Sequence, residues 1–292
     1  MGHTMGDIAV VADSLACLPK ELVEEYGIRI VPVNIEYDGK IYRDGVDINA
    51  GEAYKLLDQA PEYWRTSAAS PVEFAELYRE LADNVHNILV VNLSSKLSMF
   101  FDSARNAVEM VHDELPDLNI EVINSETVTA AEGFIALAAA RAASLGNPFR
   151  EVVEQAYKVK EQVHFVALLE TMRFVYRTGR IPKVAAYLGS MLSVKPILTA
   201  SAGAIRIATA TRTKTAGVSK LLQMMGNHVG TTEPVHVAIM HADRLKEAEQ
   251  LKEKIVSEFN CAELFITDFT PVMGYATGRG TIAIAYHKAL YK

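Results

Sequence analysis

Polar side chains collect at a few places along this sequence: Asp13-Ser14, Thr66-Ser67 with Ser70, Ser94-Ser95 with Ser98, and Asn124-Ser125. They sit at the corners where strands meet helices. There the free N–H groups of a helix start, together with nearby hydroxyls, suit a carboxylate or a phosphate. Ser, Thr and Asn at such a corner are equally good helix caps, so type and spacing leave both readings open. Arg177-Thr178-Gly179-Arg180-Ile181-Pro182 places two guanidinium groups around a glycine turn. Either can clamp an anion through paired hydrogen bonds, or end a helix in solvent.

Other chemistries lack their residues. No GxSxG elbow and no GxxxxGK[ST] loop occurs, which removes the usual hooks of an α/β-hydrolase or a P-loop enzyme. Gly274, Gly278 and Gly280 form a glycine-rich loop that precedes a strand, whereas a dinucleotide fingerprint follows one and opens a helix. The eight histidines show no HxxxH or HExxH spacing, and His164, His236 and His287 fall within strand patterns, so packing explains them. Cys17 and Cys261 lie far apart with no CxxC, which fits reduced cytosol rather than a disulfide scaffold or a zinc site. Trp64, Met191, Met224, Met225 and Met273 are candidates either to line an adaptable apolar cavity or to fill the core.

The elements that must position these residues follow from apolar spacing. Half of the 292 residues are hydrophobic and 22% are charged, a globular composition long enough for two domains. Thirty-six acidic against 29 basic side chains give a net charge of −7, the wrong sign for binding nucleic acid. The first apolar run, Ile8 to Ala12, is too short for a signal-peptide core, and the longest, Phe134 to Ala143 interrupted by Arg141, is well short of the ~20 residues of a membrane span, so a cytoplasmic location without membrane insertion is expected. Met1 to Gly6 is left out of the fold.

Ile8–Ala12, a short helix after Pro19, and a second strand over Ile28–Ile35 predict a βαβ unit, with a hairpin at Asp38-Gly39. Asn49 with Glu52, and Ser70-Pro71 with Glu73, predict two capping boxes. Strands near 88–93 and 120–123 alternate with helices near 99–111 and up to Gly146, which implies a mostly parallel sheet. From about residue 161 the spacing changes: a hairpin over 195–208, a crossover from 235 to 267, and a last strand from Thr281 predict mixed α/β. The expected architecture is therefore two α/β domains, residues 7–160 and 161–292.

The order and wording of the polar corners resemble the DegV family of bacterial lipid-binding proteins. Ile8-Ala-Val-Val-Ala-Asp-Ser14 resembles its opening strand, Asp44-Gly-Val-Asp47 its acidic turn, and Thr66-Ser-Ala-Ala-Ser-Pro71 its Thr-Ser-x-Pro-Ser segment. Ser94-Ser-Lys-Leu-Ser98 is similar to its Ser-Ser-x-Leu-Ser loop, Thr178-Gly-Arg-Ile181 to its Gly-Gly-Arg-Ile turn, and Lys195-Pro-Ile-Leu198 to its Lys-Pro-Ile segment.

The resemblance implies a DegV-like fold with a long-chain fatty acid, such as palmitate or oleate, in a tunnel between two domains. Its carboxylate would be held by Thr66, Ser67, Ser94 and Ser95 with Arg180 nearby. It implies a binding protein with no cofactor, some members of the family presenting the acyl group to a fatty-acid kinase. A serine-dependent acyl hydrolase or transferase is the alternative; it would use one of Ser67, Ser94, Ser95 or Ser98 and needs a histidine that those loops lack. A regulatory partner module is a third reading. Three departures stand out: Ala276 where the family commonly has histidine at the headgroup site, Met99-Phe100 for a small Gly-Thr pair that would otherwise leave the headgroup room, and Thr178 for a glycine.

Overall fold

The computed structural model describes residues 7–181 and 194–290. Pro182 and Met191 lie outside them. The chain opens with β1 (Ile8–Asp13), α1 (Lys20–Glu25) and β2 (Arg29–Val31), and β1 and β2 pair in parallel as the βαβ reading requires. The single strand expected over Ile28–Ile35 is two. Pro32 offers no N–H to a ladder, so β2 stops at Val31 and β3 (Asn34–Tyr37) joins a different sheet. β3 turns into β4 (Lys40–Arg43) through Asp38 and Gly39, both at positive φ (49° and 73°), the backbone of a tight hairpin.

Both capping boxes form: Asn49 and Glu52 start α2 (Ala50–Gln59), and Ser70 and Glu73 start α3 (Pro71–Ala82). Between these helices, β5 (Arg65–Ser67) pairs antiparallel with β3. Then follow β6 (Asn87–Asn92), α4 (Phe100–Val111), β7 (Asn119–Asn124), α5 (Ala130–Ser144) and α6 (Phe149–Gln162). The order β2-β1-β6-β7 is parallel throughout, and β4-β3-β5 is a small antiparallel sheet beside it.

The rest of the chain runs β8 (His164–Leu168), α7 (Arg173–Thr178), β9 (Lys195–Ser201), β10 (Ala204–Thr211), α8 (Lys214–Val229), β11 (Val235–His241), α9 (Leu245–Glu258), β12 (Cys261–Asp268), α10 (Pro271–Thr277) and β13 (Ile282–Lys288). These strands form one sheet in the order β10-β9-β8-β13-β11-β12, antiparallel except for the β11–β12 crossover through α9. The expected glycine loop over 274–280 is a helix for its first part, because Pro271 opens α10 and a remote carboxylate caps it.

α5 joins the two halves. It is apolar almost all round and buried except at Ala138, Arg141, Ala143 and Ser144, as expected of a helix enclosed on every side. One side meets the corner after β1, where Gly133 lies against the Ala16 carbonyl and Leu18. The other meets the large sheet, where the Ala130 N–H points at Met240 Sδ (3.5 Å) and Phe134 packs on Phe265. The inner face of that sheet is rich in alanine: Ala167, Ala238, Ala283 and Ala285 are all buried. Its outer face is covered by α8 and α9 through a separate cluster that includes Leu221, Met225, Leu251 and Ile255. Among the described residues no helix is long and apolar enough to cross a membrane.

Candidate functional site

A pocket opens between the two halves. Phe165, Ala167, Leu198 and Ile205 of the large sheet form its floor, and Leu15, Val33, Leu93 and Val128 line it from the parallel-sheet half. Val175 and Ile181 come from the α7 segment, Val272 and Met273 from α10. Its polar lining, the mouth, is made of Thr66, Ser67, Ser98, Thr178, Arg180 and Thr277, with Ala276 in the same lining.

Each mouth residue has a local cause. The antiparallel register of β3 and β5 sets Thr66 opposite Ile35 and Ser67 opposite Asn34, so these hydroxyls come from a strand rather than from a corner of the parallel sheet. Ser98 is held by a turn in which its N–H and that of Leu97 both donate to the Ser94 carbonyl (3.3 and 2.9 Å). α7 ends at Gly179 with φ 72°, the left-handed conformation glycine allows. Thr178 needs no positive φ, and its hydroxyl donates to the Val175 carbonyl (2.7 Å). The Arg180 guanidinium donates to the carbonyls of Thr178 (2.6 Å) and Leu97 (3.3 Å), which fixes it beside Ser98 with donors to spare.

Buried carboxyls set the walls. Asp44 accepts from Ser14 Oγ (2.7 Å) and from the Val272 N–H at the start of α10 (3.1 Å), and Ser14 Oγ accepts from the Val33 N–H (3.1 Å). Asp44 thus caps a helix far along the chain that carries Met273 and Ala276. Asp13 accepts from the N–H groups of Leu15 and Leu93 (both 3.0 Å), placing two wall residues. Burial pushes both aspartates up to about 6 against their hydrogen bonds. Glu132 on α5 is pushed well above the carboxylate range by burial and then by the charge of Asp13.

The expected headgroup set is partly assembled. Thr66, Ser67, Arg180 and Ala276 line the same pocket, but Ser94 and Ser95 do not line it. Ser94 Oγ donates to the Gly203 carbonyl (2.6 Å) and Ser95 Oγ accepts from Asn124 Nδ2 (2.8 Å). Ser94 holds the β9–β10 turn, where Gly203 has φ 76° and an added Cβ would lie 2.7 Å from Ser94 Oγ. Ser98, four residues on, is the hydroxyl of that loop that faces the cavity.

Arg177 is no free clamp; it lies 4.3 Å over the Tyr275 ring and donates to the Tyr275 carbonyl (3.2 Å). Met99 is exposed and Phe100 packs on Phe74 in the core, so neither crowds the mouth. Met273 lines the cavity, whereas Met224 and Met225 belong to the outer cluster. Trp64, the single tryptophan, is buried and stacked on Tyr275 with ring centroids 5.4 Å apart. Cys17 and Cys261 are free thiols. Among the described residues no histidine lines the cavity, and no group of three or more His, Cys, Asp or Glu is placed to hold a metal ion.

Fold and site together define an α/β protein with a mostly apolar pocket whose lining includes hydroxyls and a guanidinium. The chain belongs to the DegV family, whose model, described as "Uncharacterised protein, DegV family", matches residues 7–289. A DegV domain-containing protein of Caldanaerobacter subterraneus subsp. tengcongensis is 34% identical over 268 residues, 91% of each chain. DegV of Bacillus subtilis, a fatty acid binding protein of known crystal structure, is 26% identical with a TM-score of 0.87, covering 97% of this chain and 100% of its own. A stearic acid-binding protein of Eubacterium ventriosum shares the fold, with a TM-score of 0.85 at 23% identity over 96% of this chain and 98% of its own.

Proposed function

We propose that this protein is a cytoplasmic, non-catalytic binder of a long-chain fatty acid such as palmitate or oleate. The alkyl chain lies in the slot between its two halves, residues 7–160 and 161–292. The carboxylate sits at Thr66, Ser67, Ser98 and Arg180, beside Ala276. One observation carries the reading: a pocket lined mostly by apolar side chains, Leu15, Val33, Leu93, Phe165, Leu198 and Ile205 among them, whose lining also includes the hydroxyls of Thr66, Ser67 and Ser98 and the Arg180 side chain. That is the polarity of a fatty acid. At about 0.8 kcal/mol per buried methylene, a chain of ~14 offers on the order of 11 kcal/mol before association costs, so a few hydrogen bonds at the headgroup suffice. Acyl hydrolysis would need a base beside a mouth hydroxyl, and the described lining contains no histidine to act as one.

Denaturing mass spectrometry of the purified protein is expected to release a fatty acid. Added palmitate or oleate should change Trp64 emission, since Trp64 stacks on a wall residue of the slot. A clean preparation with no acyl chain and no affinity for either acid overturns the reading. Arg180→Ala is expected to weaken binding about tenfold, the worth of one charge-assisted hydrogen bond at a partly solvated site. Ser94→Ala, by contrast, should lower the melting temperature by releasing the β9–β10 turn, with a smaller effect on affinity.

The proposal extends to presenting the acyl group to a fatty-acid kinase. Ala276 supplies no proton donor at the mouth, so Ala276→His should raise any phosphorylation of bound lipid. No rise, in protein shown to carry lipid, removes Ala276 as the limiting residue.

A further inference from the structure

We infer that Phe165 is the end wall of the slot and sets the length of acyl chain the protein accepts; this rests on the reading of the slot as a fatty-acid site. β8 leads into α7, whose end carries Thr178 and Arg180, so the mouth lies toward the C-terminal end of β8. Alternate residues of β8 face the slot. Going inward from the mouth, Ala167 comes first and Phe165 about 7 Å further on, at roughly 3.3 Å per residue. Val163, just before β8, is half-buried against the core and does not line the cavity.

The row that crosses the sheet at this level makes Phe165 decisive. Strand pairing sets Phe165 opposite Ala285, Ala285 opposite Ala238, and Ala238 opposite Phe265. On the other side, the register that pairs Val166 with Thr199 puts Ala200 beside Phe165, and Ala200 pairs with Ile205. Both immediate neighbours in the row are therefore alanines. The Phe265 ring is already covered by Phe134 of α5. Along this row the Phe165 ring is the bulky side chain between two alanines, and it lines the slot, whereas Ala285 and Ala238 do not. Without it, the slot gains the volume of the ring, up to the face of the sheet that Phe134 of α5 closes against Phe265 and His287.

The ring stands on a buried strand, so the stop is rigid. Affinity is then expected to climb about fourfold per added methylene until the terminal methyl meets the ring, and to climb no further. The test is a series of saturated acids from decanoic to eicosanoic, titrated against Trp64 emission. Phe165→Ala should move the break to acids longer by about two carbons or more, and Phe165→Leu by less, because the space each opens scales with the carbons removed. Ala167→Val, which adds bulk nearer the mouth, should move it to shorter acids.

Thermal melting identifies which variants are folded. Phe165→Leu and Ala167→Val are small changes that keep the test open if the Phe165→Ala protein does not fold. A break that stays in place in folded variants overturns the end wall while leaving fatty-acid binding intact. A wild-type protein that binds no acid of any length defeats both readings.

Discussion

Replacing Gly133 with alanine is expected to lower stability by about 2 kcal/mol, against the helix preference of the residue introduced. Alanine in a helix interior is ordinarily better than glycine by about 1 kcal/mol. Gly133 lies in the first turn of α5, however, and an added Cβ would sit 2.5 Å from the Ala16 carbonyl oxygen and 3.0 Å from the Leu18 side chain. The carbonyl belongs to the backbone of the turn after β1 and cannot rotate away like a flexible side chain. Overpacking of this kind costs about 1–3 kcal/mol, and at a backbone contact the upper part of that range outweighs the gain in propensity. The melting temperature should fall by roughly 5 °C.

Because Leu15 of the same turn lines the slot, ligand affinity should fall too. Gly226→Ala is the control. In α8 the added Cβ would meet the Phe259 ring at an ordinary 3.8 Å, so the same substitution should raise stability by about 0.5–1 kcal/mol. Melting curves of the two variants are expected to move in opposite directions. A Gly133→Ala protein as stable as the parent would mean that α5 is not pressed against the β1 corner.

Gly133 also shows where the sequence stops being legible. Its neighbours read as helix, and the helix is there, but nothing in the local pattern reveals that both sides of it are enclosed. Capping boxes at Asn49 and Ser70 were legible because cap and partner are three residues apart. α10 was not, because its cap is Asp44, 228 residues earlier. With the helix start unexplained, Gly274, Gly278 and Gly280 read as a loop. The run Ile28–Ile35 hid two strands because apolar composition is the same on both sides of Pro32, and only pairing separates them. Motif order picked out Thr66, Ser67 and Arg180, which line one pocket. It could not say that Ser94 turns toward the Gly203 carbonyl while Ser98 turns inward, since the three serines differ only in the partners the fold gives them.

The second large effect is a pH dependence with two opposing parts. His287 is buried and stacked on His236 (centroids 4.8 Å apart), with Glu263 and Arg141 close by. Burial, with the His236 ring behind it, pushes His287 down to about 4 from an ordinary 6.5. A histidine whose folded value is depressed contributes stability that is present above 6.5 and lost as pH falls toward 4. For His287 that is roughly 3 kcal/mol. His164, stacked on His228 with centroids 4.0 Å apart and also pushed down to about 4, acts in the same direction but is more open to solvent, which reduces its share.

Asp44 runs the other way. Its folded value is raised from 3.8 to about 6 by burial, so its contribution is complete below 3.8 and lost as pH rises through 6. The net profile of the parent protein sums these opposing terms, and differences from single variants separate them. His287→Asn keeps a donor for the Lys288 carbonyl, the partner of His287 Nδ1. Its stability relative to the parent should improve by roughly 3 kcal/mol as pH falls from 7 to 4. Asp44→Asn should show the reverse, improving relative to the parent by a similar amount as pH rises across the same interval. Urea denaturation at several pH values measures both. Parallel curves for parent and variants would show that neither group changes its affinity for protons on folding; opposite slopes would show that the carboxyl capping α10 and the histidine under α5 are both held in their uncharged forms by the packing that encloses the slot.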